Sequence, residues 1–517
     1  MLFNVLPNKT SAPPATDTCF LQVDNWDDFG FKVQFRLFYR DETGTIHHIG
    51  QIKIGQVGLE ASRPSVPGEF DRLPSEFFSL GQDDSYYQQL NKQGYGKAEE
   101  ILRSLNDVAF DLDLFDWALR QRVTRESLLR NVSWTTVRNQ FHRIALGGLR
   151  LSGFAFEYIY PTARDSLSMP LRLRFNVVPE SYPPTNVHVI IGRNGVGKSR
   201  LLNNLARTLL PPYAAQAAVG SVTFNPDDQD ASDEIPSAQF ANIVSVAFSA
   251  FDEFEPLSMP QDSSRTIQYT YIGLKVTRSG AEEPGGLRDS QALASEFGTS
   301  VEVCLQGARQ GRWKRALEVL ESDPIFADAR VADLAAARDD ESLRTQAVNV
   351  FSRLSSGHKI VLLTVTRLVE TVEERTLVLI DEPEAHLHPP LLSAFIRALS
   401  GLLINRNGVA IIATHSPVVL QEVPRECVWR LRRSGNAVAA EPPQIETFGE
   451  NVGTLTHEVF GLEVTDSGFH RMIADAVSVH RSYNDVLAAF SGSIGSEGKA
   501  LVQALLAARD ADENGQS

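Results

Sequence analysis

Apolar and polar residues alternate along 31–39, with Phe31, Val33, Phe35, Leu37 and Tyr39 on one face, and again along 49–54. The turn Asp41-Glu42-Thr43-Gly44 separates the two runs, so this period of two predicts a β-hairpin. Ahead of it, residues 1–18 are rich in Pro, Thr, Ser and Ala and read as a loose N-terminal segment. From about 75 to 145 the spacing becomes helical, as in Ile101, Leu102, Leu105 and Val108, and predicts a helical insertion. Strand patterns return at 151–160 and 171–178. Pro179, Pro183 and Pro184 follow, and then a short apolar run at 187–191.

Further along, 243–248, 377–380 and 408–413 are near-continuous apolar runs, the pattern of parallel strands covered on both faces. Helical spacing begins at Lys198 and recurs at 391–403. The stretch 261–300 is polar and carries Gly280, Gly285 and Gly286, which predicts a loop, whereas 301–350 reads as a second helical insertion. A helical tail is expected over 461–517, broken at Gly492–Gly495. The alternation of strand and helix predicts an α/β fold with a main domain spanning 19–460. No heptad pattern is sustained anywhere, so no long coiled coil is expected.

Composition narrows the class. Hydrophobic residues make up 43% and charged residues 22%, as in ordinary globular proteins. No apolar run reaches the roughly 18–20 residues that span a bilayer, and the first residues lack the charged start and apolar core of a secretory signal. A cytoplasmic protein without a membrane partner is expected. Cys19, Cys304 and Cys427 match no zinc or CxxC spacing and read as buried small apolar residues. With 49 Lys and Arg against 64 Asp and Glu, the net charge is −15, which argues against a protein that coats nucleic acid. Local basic clusters at Arg309–Arg315 around Trp313, at Arg430, Arg432 and Arg433, and at Arg120, Arg122 and Arg125 leave a DNA groove open. Solvated or salt-bridged faces are the commoner explanation of such clusters.

The chemistry concentrates at four places. Gly192-Arg193-Asn194-Gly195-Val196-Gly197-Lys198-Ser199 fits G-x-x-x-x-G-K-[ST] between an apolar strand and a helix. Glycines let backbone N–H groups curl around a phosphate, and the helix N-terminus favours anionic charge. In this arrangement Gly192, Asn194, Gly195, Gly197 and Arg200 line the nucleotide. Lys198 reaches its β- and γ-phosphates, and Ser199 binds Mg²⁺. The run 377–380 ends in Asp381-Glu382, at the strand end where doubly wound sheets place ligands. Asp381 is the second candidate magnesium ligand and Glu382 the candidate that polarises a water. Leu354-Ser355-Ser356-Gly357-His358 opens a helical run and supplies a second candidate anion site. Finally, His415 follows the apolar strand at 408–413 as a candidate γ-phosphate contact.

These four motifs occur in the order of the ABC ATPases. Ser355-Ser356-Gly357 resembles part of their Leu-Ser-Gly-Gly-Gln signature, and His415 resembles their switch histidine. Asp381-Glu382-Pro383-Glu384-Ala385-His386-Leu387-His388-Pro389 resembles the D-E-P-E-x-H-L-H-P block of the RecF, OLD and SMC branch of that family. Within the branch, the chain looks closest to the stand-alone ATPase subunits of bacterial anti-phage defence systems of the Septu type. The resemblance implies an ABC-type head, made of a P-loop sheet with an antiparallel β-subdomain, for which residues 20–58 are the candidate. It further implies ATP and Mg²⁺ as cofactors. It also implies a homodimer or higher oligomer in which the signature of one subunit caps the ATP of the other, and a separate effector, with an HNH nuclease favoured. A DNA-repair ATPase of the RecF kind and a nucleotide-gated scaffold with little turnover are the alternatives.

His386 and His388 are read as part of the loop across the dimer interface rather than as metal ligands. Two departures stand out. The signature ends in His358 instead of Gln, and no glutamine follows 243–248, where Ser249 or Asp252 would have to substitute. No TOPRIM D-x-D or H-N-x-x-H block marks a nuclease site, so ATP chemistry is the only chemistry expected of the chain.

Overall fold

A computed structural model describes residues 1–147, 153–161, 170–214, 219–225, 240–249, 254–257, 267–276, 286–306, 308–336, 341–434, 437–460 and 468–515. Its strands are β1 (Leu2–Leu6), β2 (Thr18–Val23), β3 (Gln34–Arg40), β4 (Ile46–Gln56), β5 (Glu69–Phe70), β6 (Phe77–Gly81), β7 (Phe154–Ile159) and β8 (Arg172–Val177). They continue with β9 (Val187–Ile191), β10 (Ser221–Phe224), β11 (Asn242–Ala247), β12 (Gln268–Gly273), β13 (Leu377–Asp381), β14 (Val409–Thr414), β15 (Val428–Ser434) and β16 (Ala437–Glu441).

The central sheet has the order β12-β11-β13-β14-β9-β15-β16. Every neighbouring pair is parallel except β15–β16. Strands β9 and β14 are buried at every position, which explains apolar runs interrupted only by His188 and ended by Thr414. Each strand serves two cores by alternation. Val378, Ile380, Ala410 and Ile412 face the helical insertion, whereas Leu377, Leu379, Val409 and Ile411 face the helix Lys198–Leu209. The fold is α/β, with the insertion helices 290–353 on one face and the three-stranded antiparallel sheet β10-β7-β8 joining the core on the other.

That small sheet corrects one expectation. The antiparallel sheet of the head is built from 154–159, 172–177 and 221–224, not from the hairpin at 20–58. The hairpin, β3–β4, belongs instead to a six-stranded sheet, β5-β1-β2-β3-β4-β6, with its own core. The helices Asp84–Asn91, Tyr95–Ser104 and Leu112–Ala118 pack on it through residues such as Tyr87, Leu102 and Phe115. Thus the helices predicted at 75–145 cover a sheet of the N-terminal region. Period alone gives no address for the surface a helix covers.

The N-terminal segment is also not loose throughout. Leu2–Leu6 pairs parallel with β2, and Phe3 stacks on Phe70 at a centroid distance of 5.0 Å. A five-residue run before Pro7 is too short for its period to stand out. Likewise, the polar stretch at 261–300 contains β12, an edge strand whose half-exposed positions tolerate polar residues, and a helix from Ser290 capped by Asp289. Residues 258–266 and 277–285 lie outside the described residues.

The N-terminal region is stitched to the head by buried ion pairs. Arg406 Nη1 lies 2.9 Å from Asp84 and 3.7 Å from Asp83, and Arg312 Nη1 lies 2.7 Å from Asp83. Arg309 donates to the Asn131 carbonyl at 2.9 Å, and fully buried Trp313 donates to Thr366 Oγ1 at 3.0 Å. Arg309 and Arg312 of the first basic cluster are therefore absorbed inside the molecule while Lys314 and Arg315 stay exposed, and Arg430 pairs with Glu441 and Glu458. The two arginines hold the Asp83 carboxyl well below the usual range against its burial. Replacing Arg406 by Leu removes the arginine paired with buried Asp84, while Asp83 keeps Arg312; losing one partner of a buried pair costs about 3–5 kcal/mol. Urea unfolding of R406L is expected to show that loss.

Candidate nucleotide site

The loop after β9 turns through conformations that require glycine. Gly195 and Gly197 have φ of +79° and +100°, and Gly197 is the last residue before the helix Lys198–Leu209. A Cβ on Gly192 would stand 2.7 Å from the Leu431 carbonyl. The loop thus leaves the N-terminus of the following helix pointing into the cleft.

Lys198, only 4% exposed, donates from Nζ to the carbonyls of Gly192 and Arg193 at 3.0 and 3.1 Å. Its Nζ also lies 3.7 Å from Glu382 Oε1. Burial pulls its ammonium below the ordinary value, opposed by the charges of Glu382, Asp381 and Glu384. A phosphate would compete for the same ammonium and relieve its desolvation.

Three adjacent strand ends converge here. Register pairs Asp381 with Ala413, and Thr414 with Ile191, so β13, β14 and β9 finish side by side. A cavity of about 390 Å³ opens over them. Asn194, Gly195, Gly197, Lys198, Ser199 and Arg200 line one wall, and Ser249, Asp381 and Glu382 another. The volume falls within the range of small-molecule sites, roughly 300–1,000 Å³. Every residue that the sequence assigned to the phosphate loop reaches this cavity except Gly192, which shapes the loop from behind. Ser249 also lines it, whereas Asp252 lies outside the described residues.

Glu382 adopts φ +46°, a left-handed conformation that is uncommon for a residue other than glycine. Its N–H donates to the Ala413 carbonyl at 2.9 Å, which fixes the turn and aims the carboxylate over the cavity. Glu384, two residues on, was quoted in the sequence motif but given no role. Its Oε1 accepts from Thr414 Oγ1 at 2.6 Å and from the His415 N–H at 2.7 Å, and it lies 3.1 Å from His415 Nδ1. His415 Nδ1 is also 3.7 Å from Glu382 Oε1. Glu384 therefore positions His415 beside the candidate water-polarising carboxylate. A glutamate adjoining a strand-end histidine is visible only once β13 and β14 are paired. Arg433 is a second residue missed, donating to the Gly195 carbonyl at 3.3 Å.

The signature residues stand apart from this cavity. Ser355 and Ser356 are exposed at the start of the helix Ser356–Thr371, and Gly357 is buried. A Cβ on Gly357 would meet the His386 carbonyl at 2.4 Å, so glycine is needed where the loop after Glu382 crosses the helix. His386 Nε2 is 3.3 Å from the Phe248 carbonyl. Magnesium fits the cleft, because the Ser199 hydroxyl and the Asp381 carboxylate line one cavity and supply the hard oxygen donors it takes.

A family model described as "AAA domain, putative AbiEii toxin, Type IV TA system" matches residues 319–421, which contain the signature, the two carboxylates and His415. Protein ea59 of Escherichia phage lambda is 40% identical over 513 residues, which is 95% of either chain. The chain belongs to the ea59 family. Among solved structures, an inward-facing putative metal-chelate type ABC transporter covers 59% of this ea59-family chain and 88% of its own, at 15% identity and a TM-score of 0.29. An ATP-binding cassette of an ABC transporter covers 60% and 97%, at 14% identity and a TM-score of 0.31. The stretch that this family model matches lies within an α/β fold built on a mostly parallel seven-stranded sheet. No helix among the described residues is long and apolar enough to cross a membrane.

Proposed function

We propose that this protein binds and hydrolyses ATP as a homodimer and uses the cycle to control a separate effector, a nuclease, in conflict between phage and host. The observation that carries the reading is the convergence of Lys198, Ser199, Asp381, Glu382 and His415 at three neighbouring strand ends, while exposed Ser355 and Ser356 lie outside that cavity. A signature that does not line the cavity beside Lys198 is suited to cap the nucleotide of a second copy. The phage origin of the ea59 relative and the toxin description of the matching family support the conflict setting. With HNH chemistry absent from the chain's own motifs, cleavage falls to a partner.

In this reading Lys198 gives up its bonds to Gly192 and Arg193 and turns to the β- and γ-phosphates. Ser199 and Asp381 would hold Mg²⁺, which neutralises phosphate charge in such sites. Glu382, released from Lys198 as phosphate takes its place, accepts a proton from the attacking water. His415, oriented by Glu384, donates toward the γ-phosphate.

Glu384→Gln keeps the volume but weakens the hold on His415. Turnover is expected to fall by the roughly 10–100-fold that loss of an outer positioning partner costs, with nucleotide affinity little changed. Steady-state phosphate release and a nucleotide titration check both arms. An unchanged rate removes Glu384 from the mechanism. Dimerisation is tested by light scattering with ATP on the slow variant described in the Discussion. A monomer at saturating ATP would overturn the composite site.

A further inference from the structure

We propose that Asp323, His358 and His388 form a transition-metal site that takes Zn²⁺, at the junction of the helical insertion, the signature turn and the loop after Glu382. The three side chains come from three segments. Asp323 precedes the insertion helix Pro324–Ala329, His358 sits in the first turn of Ser356–Thr371, and His388 caps Pro389–Asn405. Their candidate ligand atoms all lie within 4.8 Å of one another. His358 Nε2 is 3.0 Å from Asp323 Oδ1, and His388 Nε2 is 3.4 Å from Asp323 Oδ2. A tetrahedral Zn²⁺ with bonds of roughly 2.0–2.2 Å separates its ligand atoms by about 3.3 Å, a spacing that the two histidine–carboxylate distances bracket.

Two imidazoles and one carboxylate are a donor set for a divalent transition metal, unlike the hard oxygens at Ser199 and Asp381. Asp323 and His358 are buried, and His388 is half-exposed, which leaves an entry path and an open fourth position for water. The outer shell is already in place. His358 Nδ1 is 2.6 Å from Ser355 Oγ, and Asp323 Oδ1 accepts from the N–H groups of Ile325 and Phe326. Metal-bound histidines typically donate their other ring N–H to such a partner.

Without metal, the same atoms form a hydrogen-bonded chain in which Ser355 donates to His358 and His358 donates to Asp323. Zn²⁺ takes the place of the proton on Nε2, so the Nδ1 proton must then point at Ser355. Ser355 becomes the acceptor, and its own hydrogen turns outward from the exposed signature. His388 yields only a long cap bond, 3.4 Å from the Leu391 N–H to its Nδ1. The family resemblance and the flanking prolines placed His386 and His388 in the interface loop and not among metal ligands. In the structure, His386 turns to Phe248 and His388 meets His358 instead.

The test is metal binding and stands apart from the ATPase reading. Tag-free full-length protein, stripped with chelator and held in excess Mg²⁺, is titrated with Zn²⁺ by calorimetry and with Co²⁺ by visible absorption. One Zn²⁺ per chain and the intense bands of four-coordinate Co²⁺ are expected. His388→Ala removes a half-exposed ligand and leaves the fold intact by thermal melt. It should weaken Zn²⁺ more than the roughly 10–100-fold cost of losing an outer partner. His358→Gln should do the same. Wild type that binds no Zn²⁺, or variants that bind it as wild type does, overturns the proposal.

Discussion

Replacing Glu382 by Gln is expected to stop ATP turnover while leaving nucleotide binding in place. The substitution keeps the side chain's size and its reach over the cavity, but an amide cannot accept the proton of the attacking water. General-base catalysis by a positioned carboxylate contributes roughly 10²–10⁴-fold, and the loss in kcat should fall in that range. Glu382 is one-third exposed and held in its turn by a backbone bond from its own N–H to Ala413, so the variant should fold. Removing the negative charge 3.7 Å from Lys198 also frees the ammonium for phosphate, and ATP affinity should rise or hold. The variant should then accumulate as an ATP-bound dimer. Phosphate release, nucleotide titration and light scattering read these three outcomes. A wild type with negligible turnover that the variant hardly changes would replace the motor with a nucleotide-gated scaffold.

Lys198→Ala should have the opposite profile, with binding lost ahead of chemistry. The lysine's Nζ is held at the loop by two carbonyls and is the one ammonium among the residues that line the cavity. Hydrogen bonds to charged groups contribute about 1.5–3 kcal/mol each. Two lost contacts to phosphate oxygens therefore weaken ATP roughly 100-fold or more. Alanine also leaves Asp381, Glu382 and Glu384 without the cation that balances them, which adds repulsion against a polyphosphate. The fold itself should hold, because alanine favours the helix and the lost ammonium was costly to bury. Fluorescent-nucleotide titration with a urea melt in parallel separates the two effects. Wild-type affinity in K198A would sink the assignment of the cleft.

The phosphate loop, the carboxylate pair and the strand histidine were legible because each joins a local pattern to a chemical type. An apolar run buried on both faces has no alternation to hide it, and strained glycines announce the turn that follows. These features depend on neighbours in sequence, so the chain order alone fixes them. The roles of Glu384 and Arg433 were not legible, because each acts on a group brought near only by strand pairing. The partner of the basic cluster around Trp313 was hidden for the same reason. Arg312 is charged, yet it is buried against Asp83, a carboxylate more than two hundred positions away.

By itself, then, the sequence determined the α/β class, the strand that carries each motif, and most of the residues that line the cavity over the strand ends, since hydrophobic period and turn chemistry are local. Only the tertiary structure decided which sheet is the head's antiparallel partner, where the N-terminal helices pack, and that Asp323, His358 and His388 share one point. Those depend on packing between segments far apart in the chain, and burial there is paid by contacts that no single stretch encodes.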